Sequence, residues 1–209
     1  SKPSQNRKTQ SKQAQGKKTQ SKQSQTKKSQ ADQGRSSRGG STKRRAAAKA
    51  SARSDQSLAL SLLREDHQRV EGLLDQLVDS SSRAGKSRQS LLQQIADELR
   101  LHAELEETIF YPALLEAAEK GEDRALVHEA FEEHRAAVQM VLPDLEKTPP
   151  DGEKFSGRAK VLRELIMHHV EEEEDEMFER ARELLSDEQL EELGLRMQER
   201  KSEGLQQAG

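Results

Sequence analysis

Cysteine and tryptophan are missing from this chain of 209 residues, tyrosine occurs once and phenylalanine four times. Without cysteine there is no disulfide framework, no thiolate zinc site, no iron–sulfur cluster and no cysteine nucleophile. No apolar run approaches the roughly 18 residues that a membrane span requires. The first Leu, Ile, Val, Met or aromatic residue is Leu58. The preceding stretch therefore has neither the apolar core of a secretory signal nor the amphipathic face of a mitochondrial presequence. The expectation is a soluble cytoplasmic protein. The residues after position 56 are enough for one domain of ordinary size.

Charge is abundant and unevenly spread. Residues 1–56 hold 16 Lys and Arg against two acids, Asp32 and Asp55, whereas the remainder is strongly acidic, so the overall −3 is a cancellation. The basic stretch contains three successive versions of one motif: RKTQSKQAQG from Arg7, KKTQSKQSQT from Lys17 and a decayed KKSQADQGRS from Lys27. It has almost no apolar surface to bury, so nothing offsets the entropy cost of ordering it, and a disordered tail is predicted over 1–56. Its cations include Lys17, Lys18, Lys27, Lys28, Lys43, Arg44 and Arg45. They suit weak, sequence-independent binding of nucleic acid or another polyanion. The tail has no aromatics, which argues against base stacking on a single strand. A solubilising tail and an arm folded back onto the acidic domain are the alternatives.

From Ser57 onward the apolar periodicity is helical, with no alternating strand pattern. The spacing predicts helices over about 57–80, 87–120, 122–146 and 153–185, separated by breaks at Gly121 and at Pro149, Pro150 and Gly152. Pro112 predicts a kink in the second helix. Ser186 with Gln189 reads as a capping box opening a short fifth helix that ends near Ser202. The expected fold is all-α: an antiparallel four-helix bundle over 57–185, then a short C-terminal helix and tail over 186–209.

Four of the six histidines fall on the core stripes: His67, His102, His134 and His169. The step from His67 to His134 equals the step from His102 to His169. Glu106 and Glu173, each four positions after a histidine, are separated by the same step. The flanks agree, with Asp66 against Glu133 and HAELEETIFY against HVEEEEDEMF. Each half is therefore a helix carrying one histidine followed by a helix carrying His-x-x-x-Glu. A four-residue step is about 400°, so each histidine and its glutamate share a helix face. Folded on a pseudo-twofold, the six side chains converge at one level of the core. Imidazole nitrogen with carboxylate oxygen suits iron, manganese or zinc. Two carboxylates from opposite helices can bridge a pair of metals, with two histidines capping each. A single histidine on an apolar stripe is commonly a satisfied core residue, but four in symmetric register are not accounted for that way. His128 is turned about 240° from His134 and is expected at the surface. His168, about 100° off the His169 face, is expected beside the site or at the surface. In the acidic run 171–176 only Glu173 is expected to turn inward.

The set His67, His102-x-x-x-Glu106, His134 and His169-x-x-x-Glu173 resembles the hemerythrin-like, HHE cation-binding domain. The phrases DHQRVEGLLDQL, HAELEETIFYPAL, EHRAAVQMVLPDL and HHVEEEEDEMF carry the resemblance, which covers about 57–185. It implies two iron ions in a non-haem centre with bridging carboxylates. Such a centre reacts with or senses dioxygen, peroxide or nitric oxide, in iron handling or in oxidative or nitrosative stress. One departure is evident: oxygen-carrying hemerythrins have His-x-x-x-His on the third helix, and the corresponding position here is Ala130. Reversible oxygen transport is therefore not the expectation. The coordination position left over is open to water, a small ligand or Tyr111. A ferritin-like site needs glutamate three residues before a histidine. Those positions hold Arg64, Leu99, Ala125, Phe131, Leu165 and Ile166. The remaining rival is a nucleic-acid-associated protein that uses its tail, with the bundle as a structural body. The residues define no substrate pocket, and whether the chain is an enzyme is left open.

Overall fold

The computed structural model describes residues 57–119 and 121–207. The tail and its cations Lys17, Lys18, Lys27, Lys28, Lys43, Arg44 and Arg45 lie outside the described residues. Helix α1 spans Leu58–Asp79. Helix α2 covers 85–117 in three pieces: Gly85–Leu105, a π-helical turn Glu106–Phe110, and Tyr111–Ala117. Helix α3 covers 122–146 as Glu122–His134, a π turn Arg135–Val141, and Leu142–Glu146. Helix α4 covers 153–184 as Glu153–Glu172, a π turn Glu173–Met177, and Phe178–Leu184. Helix α5 is Asp187–Gln207. Among the described residues none of these helices is long and apolar enough to cross a membrane.

The stripes read from the sequence become the core of an antiparallel bundle of α1 to α4. Its apolar part forms two clusters. One holds Leu60, Leu63, Phe110, Tyr111, Met177 and Phe178 with residues of α5. The other holds Val70, Leu74, Ile95, Leu99, Leu162 and Ile166. A layer of buried polar residues lies between them: Asp66, His67, His102, Glu106, His134, His169 and Glu173. Far from that layer, buried Arg88 ties two loops together. It donates to the Ser80 carbonyl at 2.6 Å, the Pro150 carbonyl at 2.7 Å and Ser156 Oγ at 3.1 Å.

The structure refines three expectations. First, the kink expected at Pro112 is a π turn just upstream. The Tyr111 amide bonds the Glu106 carbonyl, five positions back. The Leu142 and Phe178 amides do the same to Ala137 and Glu173. Each turn inserts one residue at the level of the polar layer, where π turns commonly mark functional positions. Pro112 and Pro143 sit in the first turn of the resumed helix, where a missing amide is tolerated. Second, α2 ends at Ala117 rather than near 120, and Ala118 is already extended. Gly121, at φ 95°, takes the left-handed conformation that starts α3. Third, the fifth helix is not short, because it runs 21 residues, to Gln207. Its start is the expected capping box. The Ser186 amide donates to Gln189 Oε1 at 2.9 Å, and the Gln189 amide donates to Ser186 Oγ at 3.2 Å.

Candidate metal centre

Each of the four bundle helices supplies one histidine to the polar layer, and all four rings are buried. Their Nε2 atoms point inward in two pairs. His67 and His102 meet at 3.2 Å, and His134 and His169 at 3.1 Å. The carboxylates lie between the pairs. Glu106 Oε2 is 3.1 Å from His102 Nε2 and 3.2 Å from His134 Nε2. Glu173 Oε2 is 3.1 Å from His67 Nε2 and 3.9 Å from His169 Nε2. Each glutamate thus touches one histidine of each pair. Two groups with ligand atoms close enough to share an ion result: His67, His102, Glu106 and Glu173, and Glu106, His134 and His169.

Behind each imidazole stands a second carboxylate. Glu174 is 2.8 Å from His67 Nδ1, Glu107 is 3.1 Å from His134 Nδ1 and Glu133 is 2.9 Å from His169 Nδ1. Asp66 faces His102 Nδ1 at 3.7 Å. A carboxylate at Nδ1 accepts its proton, which leaves Nε2 with a lone pair directed inward. Two such lone pairs 3.1–3.2 Å apart repel unless a cation or a proton lies between them. Glu106 Oε1 and Glu173 Oε1 are buried without a hydrogen-bond partner, and Glu173 Oε2 meets imidazole nitrogens, His67 Nε2 at 3.1 Å and His169 Nε2 at 3.9 Å. Unpartnered buried carboxylate oxygens are costly. The donor set and its orphaned oxygens therefore fit divalent cations.

The electrostatics agree. Burial works against charging His102, but the negative charge of Glu106, with Asp66 behind, overrides it and pushes its pKa up to about 10. His67 and His134 are raised in the same way, against burial, by their glutamate neighbours. Burial alone would raise Glu106, yet the His102 charge and hydrogen bonds from His102 and His134 hold it well below the usual range. The cluster attracts positive charge, as protons or as metal.

Tyr111 is fully buried, and its hydroxyl donates to Glu106 Oε2 at 3.3 Å. Burial first, then the Glu106 and Glu173 charges, keep the phenol protonated well above its ordinary range. Tyr111 belongs to the apolar cluster that includes Ala130. On the other side of the layer a cavity of about 10 Å³ is lined by the four histidines and by Val70, Leu99, Ile166 and Val170 among others. His128 is exposed, as expected. The side chain of His168 is 61% exposed and lies 3.3 Å from Glu172 and 3.8 Å from Glu133, outside the polar layer.

The outer carboxylates are a group that the sequence reading did not anticipate. In the acidic run, Glu174 turns inward as well as Glu173, reaching His67 and lying 3.4 Å from Arg64. The sequence does carry a signal for them. Asp66 and Glu133, and likewise Glu107 and Glu174, are related by the same step that relates the inner ligands.

Residues 58–181 match the family model of the hemerythrin HHE cation binding domain. The chain belongs to this family. A crystal structure of a hemerythrin HHE cation binding domain-containing protein from Mycobacterium kansasii is similar, with a TM-score of 0.60 and 27% identity. It aligns with 70% of this chain and 86% of that one. A curated relative from Nostoc sp. (strain PCC 7120 / SAG 25.82 / UTEX 2576), named DNA nickase, is 29% identical over 164 residues. That alignment covers 78% of this chain and 44% of the relative, so the HHE chain spans less than half of that protein's length. Helix α5 lies beyond the residues matched to the HHE model.

Proposed function

We propose that this HHE domain holds two iron ions and reacts with or senses a small oxidant or gas: dioxygen, peroxide or nitric oxide. His67 and His102 would hold one ion and His134 and His169 the other, with Glu106 and Glu173 between them. The observation that carries this is the pairing of inward Nε2 atoms at 3.1–3.2 Å, each pair joined to the other by a buried glutamate. Iron is what the family resemblance implies, although manganese or zinc would suit the same donors.

Bound iron would supply one- and two-electron chemistry that no side chain of this chain has. The protein's own part is positioning. Glu107, Glu133 and Glu174 accept the Nδ1 protons and so aim the Nε2 atoms inward. Tyr111 steadies Glu106 through its hydroxyl. The apolar clusters above and below exclude bulk water, which strengthens every charge interaction in the layer. The cavity of about 10 Å³ is barely large enough for one water-sized molecule. Its size excludes an organic substrate.

The test is metal analysis after anaerobic iron loading, with an optical spectrum before and after peroxide and nitric oxide. A value approaching two iron ions per chain, with spectra that respond to one of these ligands, supports the reading. A stable value near zero overturns it.

A second reading rests on charge. The 16 cations of residues 1–56 suit a nucleic-acid backbone, and one relative is named for acting on DNA. The full-length chain should retard duplex DNA of any sequence at low salt and lose it steeply toward physiological ionic strength. Replacing Lys17, Lys18, Lys27, Lys28, Lys43, Arg44 and Arg45 with Gln should weaken the retardation. Equal retardation by both proteins would remove the tail from the reading. Opening of supercoiled plasmid by the iron-loaded chain, and not by the chelated one, would extend it to nicking.

A further inference from the structure

Among the outward contacts in which the two halves of the repeat differ, one concerns His102. Glu133 lies 2.9 Å from His169 Nδ1. Its counterpart Asp66 stands 3.7 Å from His102 Nδ1, and that nitrogen has no hydrogen-bond partner. Asp66 is one methylene shorter than Glu133, and its other oxygen is held from α5, where Lys201 Nζ donates to Asp66 Oδ1. Glu133 faces no lysine among the described residues, and its outward neighbour is the exposed His168 at 3.8 Å.

The place of Lys201 is built into the packing. A Cβ at Gly194 would come within 2.6 Å of the Ala59 amide nitrogen and of the Leu58 side chain. Only glycine permits this approach, so α5 lies directly on the start of α1. Two turns further along both helices, Lys201 meets Asp66. The helices therefore run parallel, with Leu190, Leu193 and Met197 buried beneath α5. Arg200 fixes the same stretch to α2 by donating to Glu104 Oε1 at 2.9 Å, a contact outside the polar layer.

We propose that Lys201 is a positioning residue that makes the two cation positions unequal, drawing Asp66 off His102 and leaving the His67–His102 position the weaker. This rests on the two-metal reading above. A carboxylate that accepts an imidazole Nδ1 proton makes Nε2 a stronger donor to a metal. Glu133 gives its charge to His169. Asp66 divides its charge between His102 and an ammonium that neutralises it. The family model ends before α5, so the Lys201–Asp66 contact comes from outside the matched residues.

The experiment is stepwise titration of the chelated full-length protein with cobalt(II), followed by visible absorption. The wild type should fill in two separate steps. In Lys201→Met the weaker step should tighten by roughly tenfold, so that the steps converge. Lys201→Arg should keep them apart. Asp66→Asn should weaken the weaker step further, by roughly tenfold. Arg200→Met removes a neighbouring anchor of α5 without touching Asp66, and should leave both steps as in the wild type. Unchanged steps in Lys201→Met overturn the proposal. Convergence in Arg200→Met to the same extent also overturns it, because docking of α5 and not the Lys201 charge would then be responsible. Two equivalents binding the wild type in one step overturn this inference alone. No cobalt bound at all overturns the two-metal reading and this inference with it.

Discussion

The first helix pair and the second carry the same donors, displaced by one constant step along the chain, in unequal surroundings. Asp66, His67, His102, Glu106 and Glu107 correspond to Glu133, His134, His169, Glu173 and Glu174. The neighbours do not follow. Tyr111, which donates to Glu106, corresponds to Phe178, which stacks 6.0 Å from the His67 ring and donates nothing. Arg64, 5.0 Å above the Phe178 ring and paired with Glu174, corresponds to Phe131, 5.1 Å from Tyr111. Lys201 has no counterpart among the described residues. The inner layer repeats at every position, and its two glutamates reach across the pseudo-twofold, Glu173 to His67 and Glu106 to His134. The flanking contacts also cross between the halves, Phe178 on His67, Arg64 over Phe178 and Phe131 on Tyr111, and there the two halves carry different side chains.

The comparison breaks most completely at the shared carboxylates. Glu106→Gln should cost binding at both positions, because Oε2 of this one residue reaches His102 and His134. Iron content should fall from about two per chain toward zero. Stability should fall by about 3–5 kcal/mol, the typical cost of removing one partner from a buried charged pair. Single His→Ala changes at 67, 102, 134 and 169 should each lower occupancy, whereas His128→Ala should not. An iron content unchanged in Glu106→Gln would mean that the glutamate spans nothing.

Chelation probes both halves at once. A cation that binds the folded layer at about 100 times its Kd adds roughly 2.7 kcal/mol. Melting of the full chain should therefore drop by roughly 5–10 °C when chelator removes the metal. Coincident melting curves for loaded and chelated protein would argue against ligation in the core.

The chelated protein should also show which side holds protons more firmly. His102 is raised from 6.5 to about 10, so its charged form stabilises the fold. That contribution is complete below about pH 6.5 and is lost as pH rises toward 10. The melting temperature of the chelated protein should fall across this window. In the loaded protein the cation takes the proton's place, so the fall should be absent. Metal affinity should weaken toward acid pH, since bound histidines must give up their protons. A chelated protein that melts at one temperature from pH 6.5 to 10 would contradict the assignment.

Much of this was legible in the residues, for identifiable reasons. The stripes of Leu60, Leu63 and Leu74, or Leu162 and Ile166, repeat at helical spacing, so helix number and order follow from periodicity. The six inner side chains follow from the internal repeat that relates the two helix pairs. The π turns do not, since one inserted residue shifts the phase only locally and the Glu173–Met177 turn has no proline after it. The outer carboxylates escaped notice because glutamates in a chain that is 35% charged read as solvated surface. The full length of α5 escaped because Leu190, Leu193 and Met197 are its main apolar anchors within a highly charged stretch. The Lys201–Asp66 contact joins opposite ends of the folded domain's sequence, beyond any local pattern.

The smallest expected effect sharpens the comparison by erasing one difference. Tyr111→Phe gives the first half the side chain that the second already carries at Phe178. The ring keeps its place in the apolar cluster, so packing changes little. What goes is one hydrogen bond to a charged acceptor, Glu106 Oε2, at 3.3 Å. Its loss should cost about 1–2 kcal/mol, a few degrees of melting temperature. Iron should stay near two per chain, because the phenol is held protonated and donates to the carboxylate, a poor state for a metal ligand. The optical spectrum should shift slightly through Glu106 without losing a tyrosinate band, since none should be present in the wild type. The reverse change, Phe178→Tyr, would place a phenol beside the His67 ring and test whether a hydroxyl there can steady Glu173 in the same way. If Tyr111→Phe instead lowers iron content by half, the phenol is a ligand of one position, and the asymmetry between the halves extends into the inner layer.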